Sequence, residues 1–545
     1  MKNLNQLRGS VKDFRKKIYQ GVFLLVIMLC MPVSAMELRI VSKADILSLD
    51  PHGLAESSQL DVLGNLYEPL VSRDRNGHIV PALALAWQQT DALHWRFKLR
   101  QGVEFHHGEK FSADDVIYSF ERANQEQSGV RQFVAAIQQV RKIADDQLEF
   151  ELKQPLDDFP GSLIYWYQIS RHWCSTHACE WQQVADASGR GSSIADQVNG
   201  TGPYRLQQRQ AGAESQFIRN PRYWRSTQTL AERVQWRIVA DDAKRAQLLI
   251  ENQADVVMFY PNSAFAQLQS RQDLAIFPQA EARVLFLGFD LSHAQITTQR
   301  GVIRNPWLDK RVRQAVYHAI DSAAIQRDIL AGYAKQLGIL VPPGVLGYDA
   351  QLDERLSYDK ARAKALLSQA GYSAGFSVSL NCPNDRYVND AAICKAIVKN
   401  LREVGIQVDA EIETKTQFFK KVFARASHFY LLGAATNSGD AYHLLYPLLG
   451  SVREDGRGEI NFAGYSNTQI DLLLQQLTDT QDKAQRQGLI RQILRYAQDD
   501  LPYIPLHQQI ALTAAKSSLK LYFTAENGLP WQFIESQENR ASSGL

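Results

Sequence analysis

Val284-Leu-Phe-Leu-Gly-Phe-Asp-Leu291 is an almost uninterrupted apolar run near the middle of a 545-residue chain. Its length suits a strand that is buried on both faces, and it is too short for a core helix. A polar loop follows it. Asn305-Pro306 then predicts a helix start, because Asn caps helices and Pro fits their first turn. We expect the strand to close one half of the molecule and the helix to begin the other.

The segment after Asn305 is amphipathic at helical spacing. Its apolar residues are Leu308, Val312, Ala315, Val316, Ala319 and Ile320, and its polar residues are Lys310, Arg311, Arg313 and Gln314. The pattern therefore predicts that Leu308 faces the core and that Arg313 lies on the opposite, polar face.

Residues 1–35 have the organisation of a secretion signal. A region with six Lys or Arg residues precedes the apolar stretch 21–31, and Val33-Ser34-Ala35 ends in a small-x-small cleavage pattern. The apolar stretch is too short to span a bilayer. Cys30 is a weak lipidation site because the bulky Leu29 precedes it. We predict cleavage after Ala35 and a soluble periplasmic product.

The length predicts two or three domains, and the ordinary composition argues against extended disorder. The whole chain has 60 basic and 58 acidic residues; residues 1–35 hold six of the former and one of the latter, which leaves a formal net charge of −3. Without a basic run in the mature part, nucleic acid is not an expected partner.

Four cysteines remain after residue 35, in two close pairs: Cys174 with Cys179, and Cys382 with Cys394. An even count in an oxidising compartment favours disulfides. The first pair lies within His172-Trp-Cys-Ser-Thr-His-Ala-Cys179, where two His and two Cys are also able to ligate zinc. We favour a small disulfide loop and predict no metal site and no cofactor.

Several motifs, in this order along the chain, are typical of one protein family. They are Leu99–Arg122, Asn199–Leu206 (NGTGPYRL), Arg219–Trp224 (RNPRYW), Asp309–Asp321, Ser357–Tyr372, Asn461–Asn467 and Pro502–Leu506. Together, behind a secretion signal, they resemble the peptide/nickel-type (family 5) extracellular solute-binding proteins of ABC importers, and the resemblance covers nearly all of the mature chain.

The resemblance implies an α/β, two-lobed periplasmic-binding-protein-like fold of type II, in the large peptide-binder class with an extra subdomain in the first lobe. Lobe I is expected at 36–285 plus 510–545, with a subdomain inserted at about 70–195, and lobe II at 290–505. Two crossings, near 285–295 and 505–515, are expected to form the hinge.

The same resemblance implies a binding protein and not an enzyme. A short peptide or peptide-like solute is expected to bind between the lobes, and a monomer is expected to deliver it to an inner-membrane permease with its ATPase. A nickel-chelate or opine-like solute is the alternative ligand. A periplasmic peptidase and a ligand sensor are further alternatives. No GxSxG, P-loop or GxGxxG motif supports catalysis.

The sequence of lobe II predicts where a ligand lies. Alternating apolar residues at 376–380 and 406–412 flank an amphipathic helix, which predicts a βαβ unit, and an apolar run at 429–432 predicts a further strand. Ligands of open α/β sheets bind outside the carboxyl ends of the strands. The loops 381–390 and 433–443 follow two such ends.

Candidate ligand-binding residues in these loops are Arg386, Tyr387, Asn437, Ser438 and Asp440. The Arg386 fork suits a carboxylate, whereas the polar groups at 437–440 suit an amine or amide. A solvated Arg386 and an Asp440 that only caps the next helix are the alternatives.

Two further expectations concern the same loops. A Cys382–Cys394 bridge would hold the first loop in place. Matched to dipeptide binders of the family, Asn437 stands at the ammonium-binding Asp and Ala434 at a Trp, which favours a blocked, modified or non-peptide ligand.

Overall fold

The structure is a computed structural model, and it describes residues 36–43, 45–55, 57–74, 78–156, 158–177, 179, 194–225, 231–436, 439–453, 457–480, 482–524 and 528–536. The predicted secretion signal, residues 1–35, lies outside this description. None of the described helices combines the length and the apolar character needed to cross a membrane.

The strands are numbered in chain order. They are β1 (Glu37–Ser42), β2 (Val71–Arg73), β3 (Ile79–Pro81), β4 (Ala84–Gln89), β5 (His94–Leu99), β6 (Ile137–Ala144), β7 (Gln147–Leu152), β8 (Tyr204–Gln210), β9 (Glu214–Arg219), β10 (Arg233–Ile238), β11 (Val256–Val257), β12 (Leu274–Phe289), β13 (Gln295–Thr298), β14 (Gly301–Arg304), β15 (Ala334–Gln336), β16 (Phe376–Pro383), β17 (Ile406–Glu413), β18 (Phe429–Ala435), β19 (Tyr503–Lys516), β20 (Leu519–Lys520) and β21 (Glu535–Ser536).

Helices cover the sheets and connect many of the strands. The α-helices are Ser57–Leu63, Ala113–Ala123, Arg131–Val134, Phe159–Ser162, Arg171–His177, Asp242–Ile250, Phe265–Gln269, Lys310–Ala319, Ser322–Ala324, Lys360–Gln369, Asp390–Arg402, Lys415–Phe423, Tyr442–Leu449, Thr468–Asp479 and Lys483–Asp500. Short 3-10 turns lie at Asn262–Ala264, Pro306–Leu308 and Trp531–Phe533, and one π turn lies at Ile325–Ile329. The predicted α/β class is therefore confirmed.

One large sheet runs through the molecule in the order β17-β16-β18-β12-β19-β11-β1-β10-β9-β8, with β15 added beside β19. It contains two sets of parallel strands. In one set β1 pairs with β10 and β11, and in the other β16 pairs with β17 and β18, as the predicted βαβ unit requires. The antiparallel strands β12 and β19 lie between the two sets. The set with β1 and the elements packed on it are called the first half of the molecule, and the set with β16 and its elements the second half. A separate four-stranded sheet, β4-β5-β7-β6, is built from residues 84–152.

The apolar run that opens the chain's second half forms the end of β12. Leu285, Leu287 and Phe289 pack into one hydrophobic core, while Val284 and Phe286 pack into another on the opposite face. All five side chains are fully buried. The prediction of a strand buried on both faces is confirmed, although β12 begins ten residues before Val284.

The two long strands pair with each other along most of their length, and their outer partners differ between the two ends. Residues 283–289 of β12 also pair with β18, whereas residues 514–515 of β19 pair with β11. The pairing of β12 with β19 is irregular between Ala280 and Val284, opposite Ile510 and Gln508. This irregularity lies just before residues 285–295, where the first of the two crossings between the lobes is expected.

The register shows where the parallel strands end. Beyond β11, the Tyr260 amide donates to the Leu512 carbonyl, so this strand points towards residues 508–510 of β19. From the other half, β18 ends at Ala435 opposite Arg283. The carboxyl ends of both parallel sets therefore converge on the irregular stretches of β12 and β19, residues 280–284 and 508–510, which are called the crossing segments below. This is the position where ligands of open α/β sheets bind.

The predicted helix after Asn305 requires a correction. Asn305 caps a 3-10 turn at Pro306–Leu308, and the α-helix begins at Lys310 with Asp309 as its cap. This break rotates Leu308 out of the core and leaves it 47% exposed. Arg313, predicted on the polar face, is buried because its guanidinium donates to the carbonyls of Trp307, Asp500 and Leu501.

Candidate functional site

The candidate site is the group of side chains where the parallel strands of both halves end. Lys43 directly follows β1, and Phe259 lies two residues after β11. From the other half, the loop after β16 carries Arg386, the helix that follows it begins at Asp390, and the loop after β18 carries Asp440. Glu281, Arg283, Gln508 and Gln509 of the crossing segments lie between these two sets.

Lys43 is half-buried, and its ammonium group forms no hydrogen bond or ion pair with any residue that the structure describes. The Nζ atom lies over the ring of Phe259, 5.1 Å from the ring centroid. An unpaired ammonium in such a place loses part of its hydration without recovering a partner. Lys43 is therefore suited to bind an anionic group.

The pKa of Lys43 depends on charged residues from both halves of the molecule. Burial lowers the pKa of Lys43, the carboxylate of Asp390 opposes this effect, and Arg245 and Arg386 lower the pKa further. Burial in turn raises the pKa of Asp390, and Lys43 acts against that rise. Lys43 of the first half and Asp390 of the second half thus influence each other's pKa. The space between these two residues is therefore the candidate position for a ligand.

Phe259 has an unusual backbone conformation. Its φ of 52° lies in the left-handed region, which bulky residues rarely adopt. The buried Arg245 holds the segment, because its guanidinium donates to the Phe259 carbonyl at 3.0 Å and to the Val239 carbonyl at 2.8 Å. Strain of this kind persists where the surroundings enforce it and often occurs at ligand sites.

The loop after β16 is folded around Asp390. One carboxylate oxygen of Asp390 accepts hydrogen bonds from the backbone amides of Arg386 at 3.0 Å and Tyr387 at 2.9 Å. The Arg386 side chain is half-buried, with its guanidinium carbon 5.5 Å from the Tyr387 ring centroid. Asp390 therefore fixes the backbone from which Arg386 projects.

The crossing segments hold this loop through a chain of polar contacts. Arg283 pairs with Glu281 at 3.0 Å, and the other oxygen of Glu281 accepts from the Gln509 amide at 2.7 Å. The Gln509 side-chain oxygen then accepts from the backbone amide of Val388 at 3.1 Å. The loop that carries Arg386 is thereby connected to both crossing strands.

Tyr387 connects the two loops of the second half. Its hydroxyl accepts from the Gly433 amide at 2.8 Å, and its side chain is buried between Arg283 and Arg386. A Cβ added at Gly433 would lie 2.7 Å from the ring, so a glycine is needed there. These contacts account for Tyr387 without a ligand, and a ligand contact remains a proposal.

Asp440 is engaged in contacts within its own half. Its carboxylate accepts from Arg486 at 2.9 Å and from the backbone amide of Tyr442 at 2.8 Å, while the cap residue of the Tyr442–Leu449 helix is Ala441. A role in binding an amine would require competition with Arg486. Asn437 and Ser438 lie outside the described residues.

Disulfides join Cys382 to Cys394 and Cys174 to Cys179 in the structure. The first one ties the end of β16 to the Asp390–Arg402 helix, with a Cα separation of 6.5 Å. It therefore braces the loop that carries Arg386 and Asp390.

Sequence reasoning missed Lys43, Phe259 and the crossing residues Glu281 and Gln509. A signal for Lys43 was present, since the apolar segment 38–41 predicts a strand and Lys43 follows it. Phe259 carried no signal, because a left-handed conformation at a bulky residue has no sequence pattern. In chemical terms, the assembled site contains three carboxylates, Glu281, Asp390 and Asp440, which are all engaged within the protein. Its cations are Lys43, Arg386 and Arg283, and the last of these pairs with Glu281.

Known proteins resemble this chain over most of its length. The family model described as "Bacterial extracellular solute-binding proteins, family 5 Middle" matches residues 78–456. Di/tripeptide-binding protein 2 of Pseudomonas aeruginosa is 26% identical over 472 residues, 82% of this chain and 84% of that protein. Heme-binding protein A of Haemophilus influenzae is 24% identical over 477 residues, 83% of this chain and 82% of that protein.

A solved structure agrees with the fold. The dipeptide-binding protein from Pseudoalteromonas sp. SM9913 in complex with Met-Leu has a TM-score of 0.77, with 21% identity, and the match covers 92% of this chain and 100% of that one. The expected periplasmic-binding-protein fold is confirmed by this likeness. Because the family model spans most of the sequence, this chain belongs to the bacterial extracellular solute-binding proteins of family 5.

Proposed function

We propose that this protein captures a short peptide or peptide-like solute that carries a negative charge, and delivers it to an ABC permease. The ligand lies between a lobe at 36–285 plus 510–545 and a lobe at 290–505, with an insertion at about 70–195 in the first. Lys43 binds the anionic group from the first lobe, and Arg386 binds it from the second. The lobes close around the ligand by rotation about β12 and β19.

One observation carries this proposal: an unpaired, half-buried ammonium at the end of β1 shares its electrostatic environment with Arg386 and Asp390 at the end of β16. Two cations near one space repel each other, and an anionic ligand relieves this repulsion. The peptide-binding names of the relative from Pseudomonas aeruginosa and of the Pseudoalteromonas structure support a peptide as the carrier of that charge.

The cellular setting of the proposal follows the family, whose members act outside the cytoplasm with ABC permeases. We infer that residues 1–35 are removed on export and that the mature protein works as a monomer in the periplasm. An ATPase on a separate chain powers import. We also infer that the protein breaks no bond in its ligand; mass spectrometry of a peptide recovered after incubation and denaturation is expected to show an unchanged mass.

A thermal-shift series tests the ligand class. Short peptides with a free carboxyl terminus are expected to raise the melting temperature, including versions with an acetylated amino terminus, because Asp440 is engaged by Arg486. A ligand at about 100 times its Kd adds about 2.7 kcal/mol to the free energy of unfolding. Carboxyl-amidated versions of the same peptides are expected to give little or no shift.

Other outcomes of this series contradict the proposal. Equal shifts in melting temperature from amidated and free peptides would show that the protein does not recognise the anionic carboxyl group. A shift from a nickel chelate or an opine, with none from any peptide, would favour the alternative solute classes.

Arg386→Ala is expected to weaken the binding of a carboxylate-bearing ligand by more than tenfold, about 1.4 kcal/mol, if the ligand buries this contact. Isothermal titration with the best peptide of the thermal-shift series measures the change. Arg425→Ala serves as a control, because this arginine lies four residues before the start of β18, at the end of that strand opposite to the ligand loops. Unchanged affinity in Arg386→Ala would exclude this residue from the site.

A further inference from the structure

A second polar cluster lies in the second half, at the opposite end of the strands from the candidate site. Asp290 follows the last residue of β12, and His428 precedes the first residue of β18. Phe289 pairs with Phe429 at this end of the two strands, whereas Arg283 pairs with Ala435 at the end next to the crossing. The length of the paired strands therefore separates this cluster from Lys43 and Arg386.

Three potential metal ligands converge in the cluster. The Nδ1 atoms of His293 and His428 lie 2.8 and 2.7 Å from the same carboxylate oxygen, Oδ2 of Asp290. One ligand atom from each residue lies within 4.8 Å of the others, and within the described part of the chain no other trio of His, Cys, Asp and Glu has this arrangement. Two imidazoles and one carboxylate form a donor set that suits zinc and neighbouring divalent transition metals.

The surrounding residues orient the carboxylate. Oδ1 of Asp290 accepts from the backbone amides of Ser292 at 2.9 Å and His293 at 3.2 Å, so Oδ2 is left for the two imidazoles. The buried Asn305 donates its side-chain amide to the carbonyls of Asp290 and His293 at 2.9 and 2.8 Å. Hydrogen bonds of this kind, from neighbouring groups to the ligand residues, orient metal ligands before a metal binds.

The three side chains of the cluster differ in solvent exposure, and one side of the cluster is open to an ion from solution. The Asp290 side chain is only 5% exposed, that of His428 is 20% exposed, and that of His293 is 55% exposed. Metal–nitrogen bonds of about 2.0–2.1 Å require the ligand atoms to move slightly apart from hydrogen-bond distance, and the exposed His293 has room for this movement. The side facing solvent leaves a position for water.

We propose that Asp290, His293 and His428 bind one divalent transition-metal ion, such as zinc, at a site separate from the ligand cleft. The ion takes the place of the two Nδ1 protons that face Asp290, and each neutral imidazole then carries its proton on Nε2 instead. It links the turn after β12 to the start of β18, and it therefore stabilises the folded state by an amount that grows with the free metal concentration relative to Kd.

The test is a titration of the chelator-treated, purified protein with zinc chloride by calorimetry. We expect one saturable site in the wild type and a loss of affinity of at least tenfold in His293→Gln, which replaces an exposed side chain and is expected to fold normally. His428→Gln is expected to show a similar loss. Zinc is also expected to raise the melting temperature of the wild type but not of these variants.

His94→Gln is a matched control. His94 contacts Asp91 at 2.8 Å with the same three-residue spacing as His293 and Asp290, but only this one His contacts the carboxylate among the residues described. Its zinc affinity is expected to equal that of the wild type. The proposal is overturned if the wild type has no saturable site, or if His293→Gln binds zinc as tightly as the wild type does.

Discussion

Replacing Lys43 with methionine is expected to lower the affinity for a carboxylate-bearing peptide by at least tenfold, and by more than Arg386→Ala. The ammonium of Lys43 has no partner among the described residues, so the ligand carboxylate would be its counter-ion. A charge-assisted hydrogen bond of this kind is shorter and stronger than a neutral one. Calorimetric titration of the two variants with one peptide measures the difference.

The same variant is expected to be as stable as the wild type without ligand, or more stable. Burial lowers the pKa of Lys43 in the folded protein, with Arg245 and Arg386 adding to the effect. A lysine with a lowered folded pKa costs stability while the pH is below that pKa. The cost disappears as the pH rises towards the unfolded value, so the gain in Lys43→Met is expected to shrink in alkaline solution.

Lys395→Met is the matched control for Lys43→Met. Lys395 is exposed on the Asp390–Arg402 helix, so this change removes the same charge from a solvated position. Its ligand affinity and melting temperature are expected to stay close to those of the wild type. Equal affinity in Lys43→Met and Lys395→Met would show that Lys43 does not contact the ligand.

The local elements were predictable because their signals are local. The alternation in His94–Leu99 predicts a strand, and β5 has these bounds. The Ser112 cap, reinforced by Asp115, begins the Ala113–Ala123 helix as the sequence indicates. The βαβ unit of the second half was predictable from two alternating runs around an amphipathic helix, because short connections leave few topologies.

The failures arise where a tertiary contact outweighs the local pattern. Arg313 has the spacing of a solvated residue, yet it satisfies the carbonyls of Asp500 and Leu501, which lie nearly two hundred residues later. No local window contains that information. The prediction that Leu308 faces the core was wrong for a different reason. Asn305 and Asp309 both have capping side chains, and the first caps a 3-10 turn while the second caps the α-helix that follows.

The candidate site was only half predictable from the sequence. The rule that ligands bind beyond the carboxyl ends of parallel strands pointed to the loops of the second half. The residues that the first half contributes to the site depend on which strands pair with β12 and β19. No sequence signal gives the register between strands that are so far apart in the chain. Lys43 follows β1 and Glu281 belongs to β12, so placing both at the site required the pairing that the structure shows.

The Asp50–Arg122 ion pair is another contact between distant parts of the sequence. Asp50-Pro51 predicts only a turn, whereas the structure places both Asp50 oxygens on the Arg122 guanidinium, at 2.9 and 2.5 Å. The two side chains are 0% and 3% exposed. The Nε atom of Arg122 also donates to the Cys179 carbonyl at 3.0 Å, so the pair holds the disulfide segment against the Ala113–Ala123 helix.

Arg122→Met is expected to lower the free energy of unfolding by about 3–5 kcal/mol, because it leaves the Asp50 carboxylate buried without its counter-ion. Adding Asp50→Asn is expected to recover part of this loss, since the amide carries no charge and still accepts from the His52 amide. Arg96→Met is the control, because its pair with Glu149 is largely solvated on the arginine side and is worth about 1 kcal/mol or less. Urea denaturation of the four proteins measures these differences, and equal losses in Arg122→Met and Arg96→Met would refute a stabilising role for the buried pair.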